Sequence, residues 1–312
     1  MKRPDPDIAS FLETIYRDCN RLARLERDPL AIARRYPDAR DREVAGLVCS
    51  TLAFGAVDLI MRACERALAP LGDHPAAALD ALDDAAIGRL WADFQYRFCF
   101  PADIQALFRA IRGARRAHGS LEGLFLAGAG DLSGAGGAGD PGAADPASIA
   151  DRETLAAAAG AFVRELRRLG AQPGAQSGSA AESRAAESRA AESRATIRRN
   201  LLPDPADGSA CKRLLLYLRW MVRSDDIDPG GWEHVMPSAL IVPLDVHMAR
   251  TCRERLGFLG PARAAASPTF RDALAVTERF ALYSPEDPVK YDFALTRPGI
   301  DPRPGDEVYG CR

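Results

Sequence analysis

Apolar residues in this chain recur at helical spacing almost from end to end, and runs with strand-like alternation are hard to find. Ile8, Phe11, Leu12, Ile15 and Leu22 share one face of a first helix expected over 7–25. The stretch "REVAGLVCSTLAF", Arg42 to Phe54, is apolar nearly all round, as a central buried helix should be. Gly55 breaks it, and a second amphipathic helix is expected from Ala56 to Ala69, stopping before Pro70. "HPAAALDALDDAAIGRLWADF" supplies further turns, and Pro101 stands where a first-turn proline begins a longer helix. A chain so patterned folds as an all-α protein.

Two stretches interrupt the pattern. Residues 128–150 are Gly, Ala, Asp and Pro with almost no large apolar side chain, and read as a disordered insert. Residues 171–195 carry the pentapeptide AAESR three times, a repeat far too short for a solenoid unit, and read as a low-complexity linker. The expected organisation is an N-terminal helical part (1–127), a helix (151–170), a C-terminal helical part (196–295) and a loose tail (296–312), grouped as two helical lobes.

Composition excludes several functions. The formal charge of −2 leaves room only for a local nucleic-acid-binding patch. Seven scattered cysteines without a CxxC pair argue for reduced thiols in a cytoplasmic protein and against a metal cluster, and no metal or other cofactor is expected. No run of 18 apolar residues is present, so no membrane association is expected. In "SDDIDPGGW" the acids Asp225, Asp226 and Asp228 lack the spacing of a calcium loop, and Trp232 reads as a core residue.

Arginine carries nearly all the positive charge. Of 41 Lys and Arg residues only Lys2, Lys212 and Lys290 are Lys. Lys212 opens the apolar run "KRLLLYLRWM". Gly208 and Ser209 before it can end a loop and cap a helix beginning near Ala210, whose N–H groups could hold a phosphate. Two readings of Lys212 stand side by side. One is a surface cation whose stem packs along the helix. In the other, the helix dipole, the neighbouring Arg213 and a cleft together favour a neutral, nucleophilic amine. A second candidate is "VPLDVHMAR", where Asp245 occupies an N-cap position, a structural role open to it alongside any chemical one. His247 reads as a packing residue more readily than as a metal ligand. Arg250, Arg253 and Arg255 read either as a solvated basic face or as phosphate contacts.

The run "GSACKRLLLYLRWMVRSDDIDPGGW…LIVPLDVHMARTCRERLGF…DPVKYDFAL", together with "DREVAGLVCSTLAFGAVDLI" and "YRF" at Tyr96–Phe98, resembles an uncharacterised bacterial family carrying a domain of unknown function. More distantly, "KRLLLYLRWM" and "PLDVHMAR" resemble the Lys-led helix and the Asp-bearing helix start of helix-hairpin-helix DNA glycosylases, among them endonuclease III and the archaeal 8-oxoguanine enzymes. That resemblance implies a two-lobed all-α fold, a DNA partner, Lys212 as nucleophile and Asp245 as its base. It also implies DNA contacts from Gly208, Ser209, Arg213, His247 and Arg250, and a DNA-inserting loop near Gly55 to Asp58. The hairpin's second glycine is missing from "LPDPADGSACK", and the four-cysteine cluster of some members is absent. The function implied is a DNA-repair glycosylase with AP-lyase activity. A non-catalytic nucleic-acid-binding protein and a helical interaction protein are its rivals.

Overall fold

A computed structural model describes residues 4–133, 148–171, 197–261 and 267–310. Among the described residues there are thirteen α-helices and no strand, only four isolated bridges. The first nine helices are α1 (Pro6–Cys19), α2 (Leu30–Ala33), α3 (Ala39–Thr51), α4 (Val57–Leu68), α5 (Pro75–Ala81), α6 (Asp84–Leu90), α7 (Pro101–His118), α8 (Leu121–Ser133) and α9 (Arg152–Gly170). The last four are α10 (Lys212–Val222), α11 (Val246–Glu254), α12 (Phe270–Phe280) and α13 (Asp292–Ile300).

The all-apolar helix read from the sequence is α3, and it is central. Its residues from Val44 to Thr51 are all buried, and it packs against α2, α4, α5 and α10. Gly46 permits the tightest of these crossings, because a Cβ there would lie 3.0 Å from Met221 Cε on α10. The neighbours α7, α8 and α9 pack on one another, while α13 holds α1 and α11. The buried apolar side chains form one continuous cluster, from Leu12 through Val48, Phe108 and Tyr217 to Phe293.

Glu43 ties this core together. Its carboxylate accepts the Glu122 and Leu121 N–H groups at 2.9 and 3.2 Å, ending the orphan donors at the start of α8, and the Trp232 indole N–H at 2.7 Å. Trp232 is a core residue as expected, packed against Phe125 and Tyr217.

Four local expectations are corrected. The first helix ends at Cys19, and a separate 3₁₀ turn spans Leu22–Arg24. The first insert is shorter than composition suggested, since α8 runs on to Ser133. Ile149, a lone large apolar residue in that stretch, is buried and exchanges backbone hydrogen bonds with His234 and Met236 at 2.8 and 2.9 Å. The remainder, 134–147, and the AAESR repeats lie outside the described residues. The C-terminal part is not continuously helical, because the Pro- and Gly-bearing stretch 223–245 forms an irregular crossing with a single 3₁₀ turn.

The tail is also not loose. α13 carries the chain through Pro298 to Ile300, and Asp306 then receives both terminal nitrogens of Arg24 at 2.7 Å in a buried, bidentate pair. Those bonds, more than the opposing desolvation, hold the Asp306 carboxyl below the usual carboxylate range. A depressed folded-state pKa gives stability that is present above the unfolded value of about 3.9 and fades as pH falls through the folded value. Asp306→Asn should therefore cost about 3 kcal/mol near neutrality. Melting curves collected from pH 7 downward should show the gap from wild type closing below about pH 4, and a pH-independent gap would contradict this origin.

Candidate active site

The chain enters α10 through Cys211, a buried residue in the left-handed region at φ 51°. For a non-glycine residue this conformation stores about 1 kcal/mol of strain. Lys212 is the first helical residue, and Cys211 provides no side-chain cap. The helix thus starts two residues later than the Gly208-Ser209 reading required. Ser209 Oγ accepts the Cys211 N–H at 3.3 Å outside the helix. Exposed Gly208 (φ 79°) and Ser209 instead meet the start of α12, through a bond from Phe270 N–H to Gly208 O and a bridge to Thr269.

α11 begins where the sequence places it, with Asp245 as N-cap. Its two oxygens divide the work. Oδ1 accepts the Met248 N–H at 2.8 Å, and Oδ2 lies 2.8 Å from Lys212 Nζ. Capping and contact with the amine, alternatives when read from sequence, are made by the same carboxylate together. Burial opposes charge on Asp245, but the Lys212 ammonium and the Met248 N–H outweigh it and hold the carboxyl below its usual range.

The pair opens on a pocket of about 510 Å³ built by five segments. α10 contributes Lys212, Arg213, Leu216 and Arg219, a stripe at helical spacing. The α3–α4 corner adds Phe54 and Gly55, the loop before α2 adds Arg27 and Asp28, α11 adds Asp245 and His247, and α13 adds Asp292 and Arg297. The lining carries five Lys or Arg side chains and three Asp, and the cations Arg27 and Arg219 also meet Asp58 and Asp228 outside it.

Arg213 turns to backbone carbonyls and an aromatic ring. It donates to the carbonyls of Thr51, at 2.9 Å, and Asn200, and lies 5.1 Å from the Phe54 ring centroid. Burial pushes this guanidinium down to about 10. Phe54 is stacked on Phe98 at 4.3 Å, and the Tyr96 hydroxyl donates to the Phe54 carbonyl. Gly55 suits the corner because its φ of 103° is one that L side chains rarely adopt, and a Cβ there would also have to displace the Arg97 guanidinium. Thus the "YRF" triplet, distant in sequence, packs against the corner after the central helix and supports it from outside the pocket lining.

The remaining candidates divide. His247 is exposed on the pocket rim, not a packing residue. Arg250 lies outside the pocket lining. Arg253 and Arg255 lie at the surface, where they donate to the carbonyls of Gly260 (2.9 Å) and Val308 (3.2 Å). Sequence reasoning missed Arg27, Asp28, Arg219, Asp292 and Arg297. No spacing links them, because separate elements deliver them. Two of the three acids of the rejected calcium loop are arginine partners: Asp228 lies between Arg219 and Arg223, and Asp225 meets Arg223 at 3.1 Å. Among the described residues no cluster of three or more metal-ligating side chains occurs, and no helix is long and apolar enough to cross a membrane.

The site is therefore a Lys–Asp pair at the start of two helices, opening on a pocket lined by charges of both signs in an all-α protein. The chain belongs to the family described as "Protein of unknown function (DUF2400)", whose model matches residues 28–301. No curated protein and no solved structure matches it.

Proposed function

We propose that the protein is a DNA-repair glycosylase with AP-lyase activity, in which Lys212 is the nucleophile and Asp245 its base. The observation that carries this reading is the 2.8 Å contact between Lys212 Nζ and Asp245 Oδ2 at the mouth of a pocket large enough for a nucleotide. Lys and Arg side chains in the lining can meet a phosphate backbone, and the resemblance of both helix starts to glycosylase motifs adds to the reading.

Lys212 passes a proton to Asp245 and attacks C1′ of a flipped nucleotide. The N-glycosidic bond breaks, its electron pair leaving with the base, which takes up a proton. The sugar ring then opens to an imine. Loss of a C2′ proton expels the 3′-phosphate, and water hydrolyses the imine to restore the amine.

The test is base release and strand cleavage on duplexes carrying 8-oxoguanine, other damaged purines or an abasic site, with binding measured across a salt series. Salt-sensitive binding without turnover on any substrate would make the protein a non-catalytic DNA binder. Absence of both would leave the pair a structural cap. Asp245→Asn keeps the cap, since Asn caps nearly as well, and should lower the single-turnover rate about 10²- to 10⁴-fold, with some loss of melting temperature because Lys212 loses its ion-pair partner. An unchanged rate would remove Asp245 from the mechanism.

A further inference from the structure

Lys212 heads a helix whose start is weakly secured. In six helices of this chain, α1, α3, α6, α9, α11 and α12, an Asp or Thr at the N-cap accepts a first-turn N–H through its side chain. α10 has no such cap. Cys211 stands there in the left-handed region and makes no side-chain bond to the helix. Its thiol donates the other way, to Ser209 O at 3.2 Å and Pro203 O at 3.6 Å. An uncapped first turn with a strained entry frays, and a fraying turn cannot hold an amine in place for attack.

Arg213, the second helical residue, supplies the bonds that the cap does not. Its Nη1 donates to Thr51 O at 2.9 Å, its Nη2 donates to Asn200 O, and its guanidinium carbon lies 5.1 Å from the Phe54 ring centroid. Three segments therefore meet on one side chain. Thr51 is the last residue of α3, and its carbonyl is among those that no N–H of that helix can reach. A cation suits the negative end of the α3 dipole there, whereas it would be unfavourable at the head of α10. Phe54 follows three residues later, in the corner that lines the pocket with Lys212.

We propose that Arg213 is a positioning residue of this site, a two-pronged clamp that fixes the first turn of α10, and with it the Lys212 amine, to the α3–α4 corner. It acts through geometry, neither as a contact to DNA nor as a charge on the amine. A planar guanidinium can give two nitrogens to carbonyls from different segments while its face lies over an aromatic ring, and an ammonium at one point cannot. Losing the clamp would let the amine shift against the pocket wall, and a displacement of about 1 Å at a reacting atom costs about 10²-fold in rate.

The placing of a nucleophile rests on the proposed function, whereas the clamp on the first turn does not, and two readouts on the full chain separate them. Arg213→Lys keeps the charge and Arg213→Met keeps much of the packing, but neither reproduces the fork. The Leu215 N–H closes the first turn through its bond to Cys211 O at 3.0 Å. Its hydrogen exchange, taken relative to that of Leu218 further into the helix, should be at least about tenfold faster in both variants. Single-turnover cleavage of abasic DNA at saturating protein should fall about 10²-fold in both, with the affinity and its dependence on salt unchanged. Arg213→Gln takes the place of a variant that does not fold, with the same expectations. Leu215 exchange at the wild-type rate, or full activity in Arg213→Lys, overturns the inference. A salt slope reduced by about 0.9 in Arg213→Met would make the guanidinium a phosphate contact and overturn it as well. Faster Leu215 exchange in a protein without activity on any DNA keeps the clamp and overturns the proposed function alone.

Discussion

Lys212→Arg should bind abasic and lesion-bearing DNA within about threefold of wild type, and release base and cleave strand at least about 10³-fold more slowly. Arg can preserve the positive charge at the head of α10 and an ion pair to Asp245, whose Oδ2 now lies 2.8 Å from the amine. It cannot yield a neutral nitrogen for attack, because a guanidinium stays protonated at neutral pH. The substitution separates the two readings of this lysine. A purely structural ion pair would accept Arg with little loss, in a chain that uses Arg at nearly every other cationic position. Full activity in Lys212→Arg would therefore remove the nucleophile from the account.

Asp228→Asn should be the most destabilising of the changes considered, by about 3–5 kcal/mol, or roughly 10 °C in melting temperature. Asp228 is 0% exposed. Its Oδ1 accepts two nitrogens of Arg219, its Oδ2 accepts Arg223 Nη1, and its own N–H donates to Asp225 Oδ1 at 2.7 Å. Asn offers one acceptor where two are used and sets an N–H₂ against a guanidinium, leaving buried charge without a partner. Because Arg219 also lines the pocket and holds Asp292, the damage should reach the site. Any folded remnant should show weaker catalysis as well as a lower melting point. A variant as stable as wild type would mean that Arg223, with Asp225 and Asp287 beside it, and Arg219, with Asp292, suffice without Asp228.

These two residues also mark what could be read in the sequence. Lys212 and Asp245 were visible because each begins an apolar helix, and helix starts have a local grammar of caps and periodicity. The central helix, expected over Arg42 to Phe54 and found over Ala39–Thr51, was visible as an apolar run too long for a strand. Local grammar does not extend to partners. Asp228 read only as one acid in a failed calcium loop, since Arg219 meets it through the turn that follows α10, closed by the Asp225 N–H to Asp228 carbonyl bond. Asp292 and Arg297 reach the pocket from a helix that begins 47 residues beyond Asp245, a distance at which spacing carries no information. Cys211 misled in the opposite direction. Ser209 is the better cap by residue type, yet the positive φ at Cys211 delays the helix to Lys212. The tail was misread because Pro and Gly suggested looseness, while the bidentate lock on Asp306 comes from Arg24, nearly the whole chain away.

The central claim is that the amine of Lys212 becomes covalently bonded to C1′ of the sugar. Sodium borohydride reduces an imine between a lysine and an abasic sugar to a stable amine, and only three lysines can carry it. Wild-type protein should therefore be trapped on abasic-site DNA, and on whichever lesion it excises. After nuclease and protease digestion, the remaining sugar mass should lie on the peptide bearing Lys212, with Lys212→Arg giving no adduct. An adduct on Lys2 or Lys290, or equal trapping of Lys212→Arg, would contradict the account.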